Sequence, residues 1–270
     1  MATIVQPTEL CCETTNLHYL DAGSGDTAIV FIHGWSAFKE IWWSALLAIA
    51  PFMRGVAPDL PGHGGSIQHP AGDMAEIAAC LAEFCGARGL RKVTLVGHSM
   101  GGNIAVELAL ARPDLVQRLV LVNPALQGND MPSYTRSYLR PDHGWLALRA
   151  SIALANRIGQ FSTVIPHQHG GGMVIPIVRR FGYMGRHDPE LLHRLLGAMF
   201  RNPLLPRLPL ITQPTLVIAG QFDPLVPVQM TRRAAIAIPG AKLQIMSRAA
   251  HNPMDEQPAL FESILLGFLR

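Results

Sequence analysis

The chain has 270 residues, 49% of them apolar and only 15% charged, with a formal net charge of +3. Such a length suits one domain, or one domain with an insertion, and such a composition is too apolar for a disordered protein. Most of the positive charge is arginine, but no Lys/Arg run tracks a helix face, which argues against a nucleic-acid partner, and no stretch approaches the roughly 20 apolar residues of a membrane span.

Two short strands are predicted first, 10–13 and 17–20, parted by the turn-prone Thr15-Asn16. The continuous apolar run 28–32 reads as a strand buried on both faces. A helix over 41–52, a strand over 55–58 and an amphipathic helix over 73–89, with Asp73 near its start, come next. A strand over 93–96 leads into a helix from Gly102, and a strand over 118–122 follows. After an interruption come strands 215–219 and 242–246, with helices at 228–238 and 258–270. Strands alternating with helices imply a mostly parallel sheet covered on both faces. The interruption, 128–206, is rich in proline, carries Gly170-Gly171-Gly172 and holds short helical pieces at 146–158, 173–181 and 189–200. It reads as a helical cap (lid) inserted into a core formed by 1–127 and 207–270.

Gly97-His98-Ser99-Met100-Gly101 lies between the 93–96 strand and the next helix, which is the strand-turn-helix setting of a G-x-S-x-G nucleophile elbow. Glycine at the flanking places avoids clashes in so tight a turn, and the serine oxygen stands at the positive end of a helix. A serine hydroxyl needs a base to take its proton, and the base needs an acid to hold its tautomer. Asp223, in Gly220-Gln221-Phe222-Asp223-Pro224, and His251, in Ala249-Ala250-His251-Asn252-Pro253, each follow a predicted strand. Strand ends of a parallel sheet converge on one edge, so Ser99, Asp223 and His251 are expected to meet there. The turn at His33-Gly34-Trp35 ends another strand on that edge. The Trp35 amide and the Met100 amide are the expected oxyanion donors.

These motifs, with Asp59-Leu60-Pro61-Gly62-His63-Gly64, Gly220 to Asp223, and His251 followed by Glu256-Gln257-Pro258, resemble the α/β-hydrolase superfamily across most of the chain outside 128–206. The resemblance implies an α/β fold, a mostly parallel eight-stranded α/β-hydrolase sheet flanked by helices with an inserted helical cap. It implies hydrolysis of esters or related acyl groups without cofactor or metal. Ser99 argues against relatives that open epoxides or remove halogens, which carry aspartate there. Asn123 occupies the place where some members keep the triad acid, which favours Asp223. Ala250 replaces a glycine common before the histidine. His98 replaces the asparagine common in members that cleave carbon-carbon bonds.

The function expected is therefore a serine esterase acting on a small-molecule carboxylic ester. Alternatives are a hydrolase of another acyl centre (thioester, lactone, amide or vinylogous ketone) or a ligand-binding protein on the same scaffold. The start, Met1 to Pro7, lacks a basic n-region and an apolar h-region, so a cytoplasmic location is the expectation. Cys11, Cys12, Cys80 and Cys85 read as buried free thiols rather than a disulfide framework. His33 and His98 read as structural, His98 facing away from the reacting centre, and Asp59 and His63 as loop-holding residues. Phe38, Trp42 and Trp43 read as core or pocket wall. His167-x-His169 has no Cys, Asp or Glu within about fifteen residues and makes a poor metal site. The 128–206 segment carries nine arginines against four acids, either a solvated face or one that steers an anionic substrate. Met173, Val174, Ile175, Ile177 and Met184 line a pocket or form the cap's own core.

Overall fold

A computed structural model describes residues 6–25, 27–70, 72–159 and 182–270. Eight strands form one sheet: β1 (Thr8–Cys12), β2 (Leu17–Ala22), β3 (Thr27–Ile32), β4 (Arg54–Pro58), β5 (Lys92–His98), β6 (Val116–Val122), β7 (Thr215–Gly220) and β8 (Lys242–Met246). Their spatial order is β1-β2-β4-β3-β5-β6-β7-β8. β1 and β2 pair antiparallel with their neighbours, and every pairing from β4 onward is parallel. The central strands are buried along nearly their whole length, as their unbroken apolar sequences require when helices cover both faces.

Helices α1 (Trp43–Ile49), α2 (Met74–Ala87) and α3 (Met100–Ala111) precede the insertion. The helix expected over 41–52 is two pieces, a 3-10 turn at Lys39–Trp42 and then α1, which stops before Pro51 because proline has no N–H to continue the helical ladder. Asp73 is the N-cap of α2, accepting from the amides of Ala75 and Glu76, while Glu76 accepts from the Asp73 amide. Trp42 is fully buried against Phe31 and Phe261 and belongs to the core.

Between β6 and β7 lie α4 (Ser133–Ser137), α5 (Gly144–Gly159) and α6 (Pro189–Phe200). α6 opens as its sequence predicts, with Asp188 accepting from the Glu190 amide and Pro189 in the first turn. Leu148 and Ile152 of α5 and Leu192 of α6 form a small buried cluster, against which Trp35, Tyr138 and Met184 pack. Met184 thus packs on the same cluster as Trp35, which lies in the loop after β3. The predicted helix at 173–181, the glycine run, Met173, Val174, Ile175, Ile177 and His167-x-His169 lie outside the described residues. On the return path, Asn202 donates to Asn103 (2.8 Å) and Glu107 (2.9 Å), and Arg207 donates to Glu107 (2.6 Å). Asn103 and Glu107 are on α3, so the segment returning to β7 is pinned to the helix that follows Ser99.

The chain ends with α7 (Val228–Ala237), the single turn α8 (Pro253–Glu256) and α9 (Pro258–Leu269). All four cysteines are free, but only Cys12 and Cys85 are buried as expected: Cys11, on the edge strand β1, is exposed and Cys80 is half-buried. Among the described residues, no helix is long and apolar enough to cross a membrane.

Candidate active site

β5 ends at His98 and α3 begins at Met100, which leaves Ser99 alone to turn the chain, at φ 53° and ψ −118°. A positive φ in a non-glycine residue costs on the order of 1–3 kcal/mol and survives only where the surroundings impose it. Here they do. The Ser99 amide donates to Val122 O (3.0 Å), and Ser99 O accepts from Gly102 N (2.9 Å) and Ala125 N (3.0 Å). The flanking glycines are steric necessities: a Cβ on Gly97 would lie 2.4 Å from Gly101 O, and one on Gly101 2.3 Å from Ile32 O.

The loop after β7 carries Asp223 and the loop after β8 carries His251. His251 Nδ1 lies 2.7 Å from Asp223 Oδ2, with both side chains almost wholly buried. The other carboxylate oxygen accepts from the amides of Leu225 (2.8 Å) and Val226 (2.9 Å). With Nδ1–H donated to the carboxylate, the neutral ring keeps its lone pair on Nε2, as a base requires. The structure thus brings Asp223 and His251 into direct contact and sets Ser99 on the same sheet edge. His98, next to Ser99, packs behind His251: its Nε2 donates to His251 O (2.7 Å) and the two rings are 4.7 Å apart.

Two further side chains hold this arrangement. Asn123, at the end of β6 with φ 43°, accepts from Gly220 N (2.8 Å) and donates to Ala250 O (2.9 Å) and His251 O (3.0 Å). Glu256 accepts from the amides on either side of His251, those of Ala250 (2.5 Å) and Asn252 (3.0 Å). Sequence reasoning recognised Asn123 only as unable to act as an acid. Its clamp joins three loops that are far apart in the chain, and no local pattern announces it.

The loop after β3 approaches from the other side. A Cβ on Gly34 would sit 3.1 Å from Ser99 Cβ, so the backbone before Trp35 lies against the serine. Ala37 N donates to Gly34 O (3.2 Å), closing a turn in which Ser36 has φ 55°. His33 is structural, as expected: its Nε2 accepts from Leu60 N (3.0 Å) and its Nδ1 donates to Gly34 O (2.9 Å). Asp59 is loop-holding too. Fully buried, it accepts from the Lys39 amide and ammonium (both 2.8 Å) and from Gly65 N (2.9 Å). Burial opposes the Lys39 charge, but Asp59 and Glu40 outweigh it and hold the ammonium above its ordinary range. Met100, the residue after Ser99, is buried at the start of α3.

The segment between β6 and β7 meets this edge at several points. The Trp35 indole donates to Leu192 O of α6 (2.8 Å). Phe38 stacks on His187 (4.6 Å) and meets Tyr183 edge-on (4.8 Å). The Tyr134 hydroxyl donates to Pro224 O, beside Asp223. Burial, and after it the Asp223 carboxylate, push the Tyr134 phenol above its ordinary range. Among the described residues, no group of three His, Cys, Asp or Glu side chains could hold a metal ion.

A family model described as alpha/beta hydrolase fold matches residues 27–258. The chain belongs to the α/β-hydrolase family. This α/β hydrolase is 26% identical to a pimeloyl-[acyl-carrier protein] methyl ester esterase of Nitrosospira multiformis over 268 residues, covering 93% of this chain and 98% of that one. Among solved structures it is similar to a thermophilic esterase from Thermogutta terrifontis, with TM-score 0.73, 23% identity and 98% of each chain covered. It is similar as well to an enol-lactonase from Burkholderia xenovorans, with TM-score 0.75, 21% identity and coverage of 97% and 99%. At these identities the structural likenesses show the shared fold.

Proposed function

We propose that this α/β hydrolase is a serine esterase that cleaves carboxylic esters of small or medium, largely apolar substrates. The observation that carries the reading is the buried Asp223–His251 pair at 2.7 Å, on the sheet edge where Ser99 is held at positive φ. The esterase name of the Nitrosospira relative supports the reaction class.

In this reading His251 Nε2 takes the Ser99 proton as Oγ attacks the ester carbonyl. The Trp35 and Met100 amides receive the oxyanion, two donors each worth on the order of 3 kcal/mol in a water-poor site. Collapse of the tetrahedral intermediate expels the alcohol, protonated by His251, and leaves an acyl group on Ser99. Water, activated by the same imidazole, releases the acid. Asp223 keeps the Nδ1–H tautomer and stabilises the imidazolium throughout. Residues 128–206 serve as a cap that excludes water and shapes the acyl pocket.

A fluorophosphonate probe tests the apparatus without knowledge of the natural substrate. Ser99 Oγ would displace fluoride from phosphorus, giving one stable adduct per chain on the peptide containing Ser99 and none in Ser99→Ala. Absence of labelling in folded wild-type protein would overturn the reading.

A further inference from the structure

We propose that Tyr134 is a positioning residue for the triad acid, acting through the peptide unit that joins Pro224 to Leu225; the proposal rests on the site reading just given. Tyr134 lies on α4, between β6 and β7, and its hydroxyl donates to Pro224 O. The N–H of that same peptide unit is Leu225 N, which donates to Asp223 Oδ1 at 2.8 Å. The other carboxylate oxygen, Oδ2, faces His251 Nδ1 at 2.7 Å. The Tyr134 hydroxyl, the Pro224–Leu225 peptide, the Asp223 carboxylate and the His251 ring are therefore joined in one unbroken series of hydrogen bonds.

Inside the loop the acid is held by its own neighbours. Leu225 N and Val226 N both turn back on Oδ1, and Pro224, lacking an N–H, adds no donor. From outside the loop, the Tyr134 hydroxyl holds the carbonyl end of the peptide whose N–H end meets the acid. Burial, and after it the Asp223 charge, raise the phenol, so the hydroxyl is protonated and remains a donor at neutral pH. Donation to a carbonyl draws charge onto its oxygen and makes the N–H of the same peptide a stronger donor. The Tyr134 bond thus strengthens one of the two amide bonds on Oδ1. Val226 N and His251 stay in place without it, so losing the hydroxyl weakens the hold on the acid and does not release it. A neutral hydrogen bond on a half-exposed tyrosine sets the scale at roughly two- to tenfold in rate. An exposed tyrosine beside the site has a second available role, contact with substrate, and kinetics separates the two. A hold on the acid acts through the base and lowers kcat equally for every ester, whereas a substrate contact alters KM and depends on the acyl chain.

Tyr134→Phe tests this, because it keeps the ring and removes only the hydroxyl; a Tm close to wild type checks that the fold is kept. The substitution is expected to lower kcat for p-nitrophenyl acetate and the fluorophosphonate labelling rate by the same factor, about two- to tenfold, with KM changed less than about twofold. The factor is expected to be the same for p-nitrophenyl dodecanoate. In an Asp223→Asn background, where the acid no longer orients the base, Tyr134→Phe is expected to change the labelling rate by less than about 1.5-fold, because both substitutions act through one carboxylate. Proton NMR adds a signature that a change of shape at the site mouth would not give: the resonance of the His251 Nδ1 proton, held against Asp223, moves in Tyr134→Phe. Wild-type kcat in Tyr134→Phe, a loss confined to KM or growing with acyl length, an undiminished effect in the Asp223→Asn background, or an unmoved Nδ1 resonance would each overturn the proposal. The labelling of Ser99 separates the two layers. Wild type and Tyr134→Phe labelled at equal rates on Ser99 remove the role of Tyr134 and leave the site reading, whereas a folded wild type that is not labelled removes both.

Discussion

Asp223 holds His251 with one carboxylate oxygen and two backbone amides of its own loop with the other. The Asp223 carboxylate is therefore held on both of its oxygens. Asp223→Asn keeps the shape of the side chain but puts an amide where an acceptor faces Nδ1–H, which favours the wrong tautomer. The expected result is a fall in kcat of about 10³–10⁴-fold with little change in KM, read from steady-state ester hydrolysis. A loss below about tenfold would mean that another group orients His251.

Asn123 bridges Gly220, Ala250 and His251 with its single side-chain amide. Asn123→Asp puts a carboxylate against two carbonyl oxygens, whereas Asn123→Ala leaves those groups without this partner. Each is expected to cost about 1–3 kcal/mol of stability and to lower kcat about tenfold or more. Urea unfolding followed by fluorescence, alongside kcat, checks both. Stability and turnover equal to wild type in Asn123→Asp would remove the clamp from the account.

The free thiols are expected to differ in reactivity because they differ in burial. The thiolate is the reactive form, and burial pushes Cys80 up to about 11 and Cys85 up to about 12, so neither is appreciably ionised at pH 8. Cys11 is exposed and Cys12 buried. Titration of native protein with a disulfide reagent at pH 8 should show one fast thiol, and four after denaturation. Rapid reaction of two or more thiols in the native state would contradict this burial.

Asp59 and Lys39 form an ion pair in the core, supplemented by Glu9 and Glu40 at 3.0 Å from the Lys39 ammonium. Asp59→Ala leaves the lysine with weaker partners and releases the Gly65 amide. The expected cost is about 3 kcal/mol, or roughly 6–12 °C in Tm for a chain of this size. Calorimetry reads it directly, and a Tm within about 2 °C of wild type would show that the remaining acids suffice.

The residues that carried the reading are those whose environment is local. The apolar runs at 28–32 and 215–219 are strands because nothing but burial on both faces suits them. The Ser99 elbow was legible because steric demands within five residues force glycine at fixed places. Asp73 marked the start of α2, where its carboxylate caps the first turn. What stayed hidden depends on residues that are distant in the chain. Asn123 meets Gly220 and His251, Lys39 meets Asp59, and Trp35 meets Leu192 across 157 positions. Each of these contacts is a side-chain polar group satisfied by a segment that only the finished fold brings near. The boundary of the helix at 41–52 was misplaced for a smaller reason, since a 3-10 turn and an α-helix share the same apolar spacing over four residues.

The central claim is that Ser99 is the nucleophile of an ester hydrolase. It is tested most directly by hydrolysis of p-nitrophenyl esters from acetate to dodecanoate, with wild type and Ser99→Ala measured side by side. The account predicts turnover by the wild type, with a preferred chain length set by the acyl pocket, and no turnover above background by a folded Ser99→Ala. Equal rates in the two proteins would contradict it, as would a folded wild type inert towards the whole series.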